Sequence, residues 1–178
     1  KLDAVIDVIR REGQVLPDIL GLVEIESEIV LKDLAKELGY EQFYITKGQD
    51  KRGINVAFLL NLNSRITTLH VEEIYLDESQ LNKPTRNILE LTLKIESELV
   101  KIYINHWPSQ SNPTTDRIHA AETIEKRVLA NITNGYHSVI VGDLNVKKSE
   151  SPNPINDVLV GGESKLVDLE TLFRKSDS

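Results

Sequence analysis

The stretch SVIVGDLN, residues 138–145, decides the fold class. Its first four residues are mostly apolar and are followed by turn residues, which predicts a short buried β-strand. Asp143 and Asn145 come directly after that strand. Both residue types favour turns because their side chains bond the nearby backbone. Alternatively, the rigid end of a buried strand presents them to a solvated loop, where catalytic groups are commonly built.

Two more polar residues stand directly after apolar runs. Glu24 follows DILGLV, residues 18–23, and His106 follows VKIYIN, residues 100–105. Taken alone, Glu24 suits a solvated loop or a helix cap, and His106 suits a structural histidine held by hydrogen bonds. Their position at strand ends also makes them candidates for catalysis.

The remaining chain divides into helical and extended patterns. Apolar spacing predicts helices over residues 2–11 and 28–38 and a long helix that begins near residue 115 or 116. Short alternating or apolar runs predict strands at 43–46, 54–60, 66–74, 87–95 and 99–105. A polar loop is expected to reach about residue 156, and residues 166–173 form one more short element. This order predicts an α/β fold with mixed sheets rather than a strictly alternating parallel sheet.

Composition narrows the classes of function. The chain has 178 residues, 40% of them hydrophobic, a net charge of −7 and no cysteine. Its length suits one domain over residues 1–178, and no apolar run approaches the roughly 18 residues of a membrane span. Without cysteine there is neither a disulfide nor thiolate chemistry. The acidic balance argues against tight nonspecific duplex binding, although bound cations would still allow a phosphoester substrate.

Four segments together resemble a known family. They are PDILGLVEIES at residues 17–27, KRGINVAFL at 51–59, NHWPSQ at 105–110 and VIVGDLN at 139–145. In this order they resemble the endonuclease/exonuclease/phosphatase superfamily, which has a pancreatic deoxyribonuclease-like fold. NHWPSQ is similar to the N-H-W-P-S-R motif of a bacterial branch. The chain departs from the family pattern at Val23, Gln110 and Leu144, where glutamine, arginine and phenylalanine are usual.

The resemblance implies a specific architecture. We expect two mixed, mainly antiparallel β-sheets flanked by helices, in four layers of the α/β/β/α type. The family usually opens with a strand that ends in an asparagine near the metal, and closes with an Asp-His pair. Neither is found between residues 1 and 178, so we expect the domain to be truncated at both ends. A competing hypothesis is a member that has lost activity.

The resemblance also implies residue roles. Glu24 would hold a divalent cation, and its hard carboxylate oxygens suit Mg²⁺ or Mn²⁺. Asp143 and Asn145 would orient the attacking water and the scissile phosphate, and His106 would donate to the charge developing on phosphorus. The histidine of the missing pair would act as the general base or as its partner.

Three further residues are candidates for binding substrate. Arg52 and Arg86 would position phosphate groups, although either could be an exposed solubilising charge. Trp107 could stack a base, wall the pocket or anchor its loop against the core. Because Gln110 lacks the guanidinium of the family's arginine, a phosphate contact at that position is in doubt.

These observations predict a divalent-metal-dependent phosphodiesterase of the nuclease type. Rival hypotheses are a phosphatase acting on a lipid, sugar or inositol phosphate, a catalytically inactive binding module, and an unrelated α/β domain with chance motifs. The expected partner is a phosphoester, with nucleic acid as one candidate, and the expected form is a soluble monomer. Secretion or a periplasmic location is compatible with the lack of cysteine.

Overall fold

The computed structural model describes residues 2–12, 15–48, 53–61, 63 and 65–171. The helices in these residues are α1 (Leu2–Glu12), α2 (Glu28–Leu38) and α3 (Thr114–Thr133). The strands are β1 (Ile19–Ile25), β2 (Gln42–Ile45), β3 (Asn55–Leu60), β4 (Ile66–Ile74), β5 (Ile88–Ile95), β6 (Glu98–His106) and β7 (His137–Asp143). A 3₁₀-helix spans Glu78–Gln80 and a π-helix spans Pro154–Val160.

The first sheet is antiparallel and has the strand order β1-β3-β2. Its central strand is buried from Val56 onward. Side chains alternate between the faces of a strand, so Ala57 and Leu59 join the cluster beneath α1 and α2. Phe58 and its alternate neighbours face the second sheet instead. The continuous apolar run of β3 is therefore the pattern of a strand covered on both faces.

The second sheet has the order β4-β5-β6-β7. Its first three strands pair antiparallel, whereas β6 and β7 are parallel. Parallel neighbours need a long crossover connection, and α3 supplies it. The crossover brings the carboxyl ends of β6 and β7 to the same edge of the sheet.

Three apolar clusters separate four layers. The first joins α1 and α2 to the first sheet through residues such as Leu31 and Leu34. The second lies between the sheets and includes Phe58, Leu91 and Ile104. The third joins α3 and the π-helix to the second sheet. This arrangement confirms the expected α/β/β/α sandwich of mainly antiparallel sheets, of which the first is wholly antiparallel and the second is mixed.

The segment after β7 differs from the sequence-based expectation. The polar loop expected to reach about residue 156 is interrupted, because the π-helix begins at Pro154. Asn153 caps this helix by accepting hydrogen bonds from the backbone amides of Ile155 and Asn156, both at 3.0 Å. Within the predicted element at 166–173, residues 169–171 are helical and residues 172 and 173 lie outside the described residues. None of the helices that the structure describes combines the length and apolar character needed to cross a membrane.

Candidate active site

His106 and Asp143 are the last residues of neighbouring parallel strands. In the β6–β7 ladder they occupy the same register position, one step beyond the pair formed by Asn105 and Gly142. The backbone amide of Trp107 then donates to the carbonyl oxygen of Asp143 at 3.0 Å. The ladder therefore continues to the strand ends and fixes both side chains at one edge of the sheet.

Glu24 reaches the same edge from the other sheet. The β1–β3 register shifts between Leu22, which pairs with Ala57, and Ile25, which pairs with Asn55. Three steps along β1 thus match two along β3, so β1 contains one extra residue. Such β-bulges bend a strand and re-aim a side chain, and they are frequent beside active sites. Glu24 lies within the bulge and is an exposed carboxylate.

The three side chains converge on His106. Its Nε2 atom lies 3.5 Å from Oε1 of Glu24 and 4.0 Å from Oδ2 of Asp143. The imidazole is only 6% exposed, whereas the two carboxylates are 57% and 54% exposed. Both separations are longer than ordinary hydrogen bonds. The buried imidazole therefore faces two carboxylates that remain open to a ligand from solvent.

Backbone strain occurs at two of the candidate residues. Glu24 has φ of 63° and Asn145 has φ of 52°, both in the left-handed region. Non-glycine residues adopt this region at some cost, and such positions cluster at functional sites. Asparagine tolerates it better than most residues, whereas a glutamate there needs the surrounding bulge to hold it.

Asn145 connects the loop after β7 to the loop after β6. Its Nδ2 atom donates to the carbonyl oxygen of Trp107 at 3.0 Å, and its backbone amide donates to Oδ1 of Asp143 at 2.9 Å. A side-chain amide has two N–H donors, and the bond to Trp107 uses one of them. The geometry therefore holds Asn145 beside Asp143 and leaves donor capacity for a ligand.

The candidates Arg86 and Trp107 lie behind the site rather than on its surface. Trp107 is 1% exposed and belongs to the cluster beneath α3. Its indole Nε1 donates to Oδ1 of Asn105 at 2.9 Å. Arg86, 6% exposed, donates from Nη2 to the carbonyl oxygen of Trp107 at 3.0 Å. This geometry favours the loop-anchor interpretation of Trp107 and gives Arg86 a bracing contact. Arg52 lies outside the described residues.

Gly142 allows β7 to approach β6 closely. A Cβ atom at this position would lie 2.0 Å from the carbonyl oxygen of Asn105, and φ is 116°. Only glycine fits both conditions. The sequence GDLN therefore requires its glycine for the backbone approach that places Asp143 beside His106.

Two concave surfaces adjoin these residues. An open groove of about 460 Å³ is lined by residues 142–147 together with Gln110 and Ile155. A more apolar groove of about 310 Å³ lies between β1 and β7 and includes Gly21, Val23 and Val141. Both grooves include Gly142, and the first also includes Asp143 and Asn145, so these two candidate residues lie close to where the two surfaces meet.

Arg117 and Glu150 were not identified from the sequence. Arg117 is 2% exposed and forms an ion pair with Glu150, whose side chain is 7% exposed. Burial by itself raises the pKa of Glu150, but hydrogen bonds, chiefly from Arg117 and Thr114, outweigh it and lower the pKa to about 2. The pair connects α3 to the loops on either side of the candidate site.

The side chains at the site could supply a metal ion with one or two carboxylate ligands but could not enclose it. This arrangement suits Mg²⁺. In the described part of the chain, no group of three or more His, Cys, Asp or Glu residues could hold a metal ion. Mg²⁺ commonly keeps several waters and binds through one or two carboxylates together with substrate phosphates. The exposed carboxylate of Glu24 fits that mode of binding.

Solved structures share this fold. Zebrafish (D. rerio) TDP2 with a single-strand DNA product is 18% identical, with a TM-score of 0.68 over 90% of this chain and 57% of that chain. The human Nocturnin catalytic domain with bound sulfate is 20% identical, with a TM-score of 0.65 over 84% and 58%. ANGEL2, a 2',3'-cyclic phosphatase, is 17% identical, with a TM-score of 0.60 over 83% and 44%. The chain thus spans less than three fifths of each of these structures.

No curated protein sequence matches this chain. The family model described as Endonuclease/Exonuclease/phosphatase family matches residues 1–171. As the name states, this is a family of phosphoester hydrolases, and its match includes the strand ends that carry Glu24, His106 and Asp143. The chain belongs to the Endonuclease/Exonuclease/phosphatase family.

Proposed function

We propose that this chain forms a divalent-metal-dependent phosphodiesterase site that acts on nucleic acid. The observation that carries the proposal is the convergence of Glu24, His106 and Asp143 from strand ends of two packed sheets, with Asn145 beside them. A carboxylate ligand, an imidazole donor and a carboxylate–amide pair are groups that can support in-line hydrolysis of a phosphodiester.

The negative charge of the site favours binding of a cation together with the phosphate. A phosphodiester that approaches the exposed carboxylates of Glu24 and Asp143 is repelled at short range. Glu24 would hold Mg²⁺ or Mn²⁺, and the bound cation would supply positive charge that offsets the negative charge of the phosphate during hydrolysis. The carboxylate is suited to this role because the bulge holds it exposed beside His106.

The other residues handle the water and the phosphate. Oδ2 of Asp143 accepts a proton from the attacking water, while its Oδ1 stays bonded to the amide of Asn145. The second N–H of the Asn145 side chain donates to a nonbridging oxygen. Nε2 of His106 donates to the negative charge that develops on phosphorus. The bond from water oxygen to phosphorus forms as the bond to the leaving oxygen breaks, without a covalent enzyme intermediate.

Single-stranded nucleic acid is the substrate class that we favour. The net charge of −7 disfavours the phosphate contacts of long duplex DNA. TDP2, a structural neighbour, is solved with a single-strand DNA product. The second candidate is a small cyclic or monoester phosphate, because ANGEL2 is a 2',3'-cyclic phosphatase.

Hydrolysis assays test the proposal. Bis-p-nitrophenyl phosphate, p-nitrophenyl phosphate, single-stranded DNA and plasmid DNA are each incubated with the protein in Mg²⁺, Mn²⁺ or EDTA. Asp143→Ala serves as the site variant, and Glu122→Ala, on the exposed side of α3, serves as the matched control. We expect diester hydrolysis that EDTA and Asp143→Ala abolish and Glu122→Ala retains.

The outcomes separate the rival functions. Preference for the monoester supports the phosphatase. Absence of turnover on every substrate with either metal contradicts the enzyme proposal and favours a binding module. A steep fall in substrate affinity with salt supports nucleic acid, whereas a flat response supports a small substrate.

A further inference from the structure

Arg117 holds the loop that follows His106 and Trp107. From the buried face of α3, its Nη1 atom donates to the carbonyl oxygens of Pro108 at 3.2 Å, Ser109 at 2.9 Å and Asn112 at 3.3 Å. Carbonyl oxygens in a loop have no regular helix or strand partner, and here one guanidinium group donates to three of them. Arg117 thus fixes this loop to α3.

Glu150 holds the loop that follows Asp143 and Asn145. Its Oε1 atom accepts from Nε of Arg117 at 3.1 Å and from Oγ1 of Thr114 at 2.8 Å. Its Oε2 atom accepts from the backbone amide of Lys147 at 3.2 Å. The two oxygens therefore face different elements, one toward α3 and the other toward the loop.

Gln110 joins the two loops directly. Its Nε2 atom donates to the backbone carbonyl of Asn145 and lies 3.5 Å from Oε2 of Glu150. The residue that departs from the family's arginine is thus turned toward the loop of Asn145. Its amide can serve both acceptors, which lie on the same side of the loop.

We propose that Arg117 and Glu150 are positioning residues that set the relative placement of Asn145 and His106. This inference rests on the proposed function of the site. The pair, hereafter the Arg117–Glu150 clamp, joins the loop after β6 to the loop after β7 through α3. On the open side of the same two loops, Asn145 already bonds to Trp107. Gln110 joins the loops as well. The clamp is a further attachment that runs through α3, and separate attachments fix the rotation of one loop relative to the other.

Glu150→Gln is a selective test of the clamp. An amide in this position can keep its oxygen toward Arg117 and Thr114. It then presents an NH₂ group where Oε2 stood, and that group cannot accept from the amide of Lys147. Arg117→Lys is the complementary variant, because one ammonium cannot reproduce the planar fork of donors.

Arg127→Lys is the matched control. Arg127 lies on the same helix and forms ion pairs with Glu72 at 2.6 Å and Glu90 at 3.1 Å. The Arg127→Lys variant therefore loses a comparable fork of donors, but at a position that contacts neither loop. Each variant is assayed for kcat and KM below its melting temperature, and amide hydrogen exchange is followed over residues 144–150.

If the clamp positions the site residues, its loss should lower kcat much more than it changes KM. For Glu150→Gln and Arg117→Lys we expect kcat to fall about 10- to 100-fold, the range seen when groups that orient site residues are lost. KM should change much less, and amide exchange at Lys147 should become several-fold faster. Arg127→Lys should keep the wild-type kcat and the wild-type exchange over residues 144–150. An unchanged kcat in both clamp variants would show that the pair is merely structural and would overturn the inference.

Failure of the proposed function can be distinguished from failure of the clamp proposal. If the wild-type protein hydrolyses no substrate with either metal, the proposed function fails, and amide exchange alone decides about the clamp. Faster exchange at Lys147 in Glu150→Gln, with none in Arg127→Lys, then supports control of the loop by the clamp. Exchange equal to wild type overturns it.

Discussion

Oε1 of Glu24 lies 3.5 Å from Nε2 of His106, although β1 and β6 belong to different sheets. No strand ladder joins the two residues, so their separation depends on the packing between the sheets. Phe58 and Ile104 belong to that packing cluster. The carboxylate and the imidazole are therefore brought together by the tertiary fold, and each can be tested by a substitution of its own.

Glu24→Gln should abolish the response to metal while keeping the fold. An amide lacks the negative charge that holds a hard cation. Because the cation is expected to supply several kcal/mol, activity should fall by at least about 100-fold. Titration of activity with Mg²⁺ measures the loss, and Glu122→Gln provides an exposed carboxylate control. Mg²⁺ activation of Glu24→Gln equal to wild type would remove Glu24 from the proposed site.

His106→Gln should lower kcat more than it changes KM. Loss of one donor to a developing oxyanion typically costs about 100- to 1,000-fold in kcat. His137→Gln is the control, because that exposed imidazole lies on the surface and pairs with Glu98 at 3.0 Å. Steady-state kinetics on a diester substrate provide the comparison. Equal kcat values for the two variants would contradict a catalytic role for His106.

Gly142→Ala should be severely destabilising. The new Cβ would overlap a backbone oxygen at a positive φ, and the two effects together cost about 3 kcal/mol or more. Gly135→Ala shares a positive φ of 75° but meets nothing within 4 Å, so it should cost about 1–2 kcal/mol. Urea denaturation of both variants measures the difference. Similar losses would mean that β7 can move away from β6.

Acid should weaken the protein partly through Glu150. Its pKa is about 2 in the folded chain against an ordinary 4.5, so the unfolded chain binds more protons between these values. The stabilisation is complete above about pH 4.5 and is lost as pH falls toward 2, by at most about 3 kcal/mol. Glu150→Gln should lose less stability than wild type between pH 5 and pH 3, as measured by urea denaturation. Parallel losses would contradict this linkage.

Lys101→Met should destabilise the fold far from the candidate site. Lys101 lies 2.5 Å from Oε1 of Glu90, whose side chain is fully buried. Glu90 keeps its ion pair with Arg127 at 3.1 Å, so the loss of Lys101 removes one of two cationic partners and should cost about 1–3 kcal/mol. The exposed pair of Lys148 and Glu170, at 2.9 Å, gives a matched control, and Lys148→Met should cost less than about 1 kcal/mol. Thermal unfolding distinguishes the two.

The sequence predicts most of the local elements, and it marks the strand ends at which three of the candidate residues lie. Apolar runs that end abruptly at Glu24, His106 and Asp143 are visible in the sequence alone. A buried strand is rich in apolar residues, whereas the solvated loop that follows it is rich in polar ones. Pairing between distant strands leaves no such local signature. The parallel β6–β7 pairing and the assignment of β1 to another sheet therefore came only from the structure.

Buried polar residues were the main omission. Arg117 reads as a solvated helix residue because arginine is rarely buried, and Glu150 lies in a polar loop. One signal was available: Arg117 falls at helical spacing with the apolar positions Ala121, Ile124 and Val128, and so on the face turned toward the sheet. The π-helix was missed because Asn153 and Pro154 are typical of turns.

At the bulge around Glu24, regular strand pairing and the position of the carboxylate favour different chain lengths. Deleting Val23 would restore regular pairing between β1 and β3, and it would relieve the left-handed backbone at Glu24. A chain selected for stability alone would gain from that deletion. The same deletion would leave Glu24 as the single residue opposite Val56, which packs in the cluster between the sheets. The carboxylate would then lose the position that the bulge gives it beside His106. The extra residue is thus a place where thermostability and phosphoester chemistry would be selected in opposite directions.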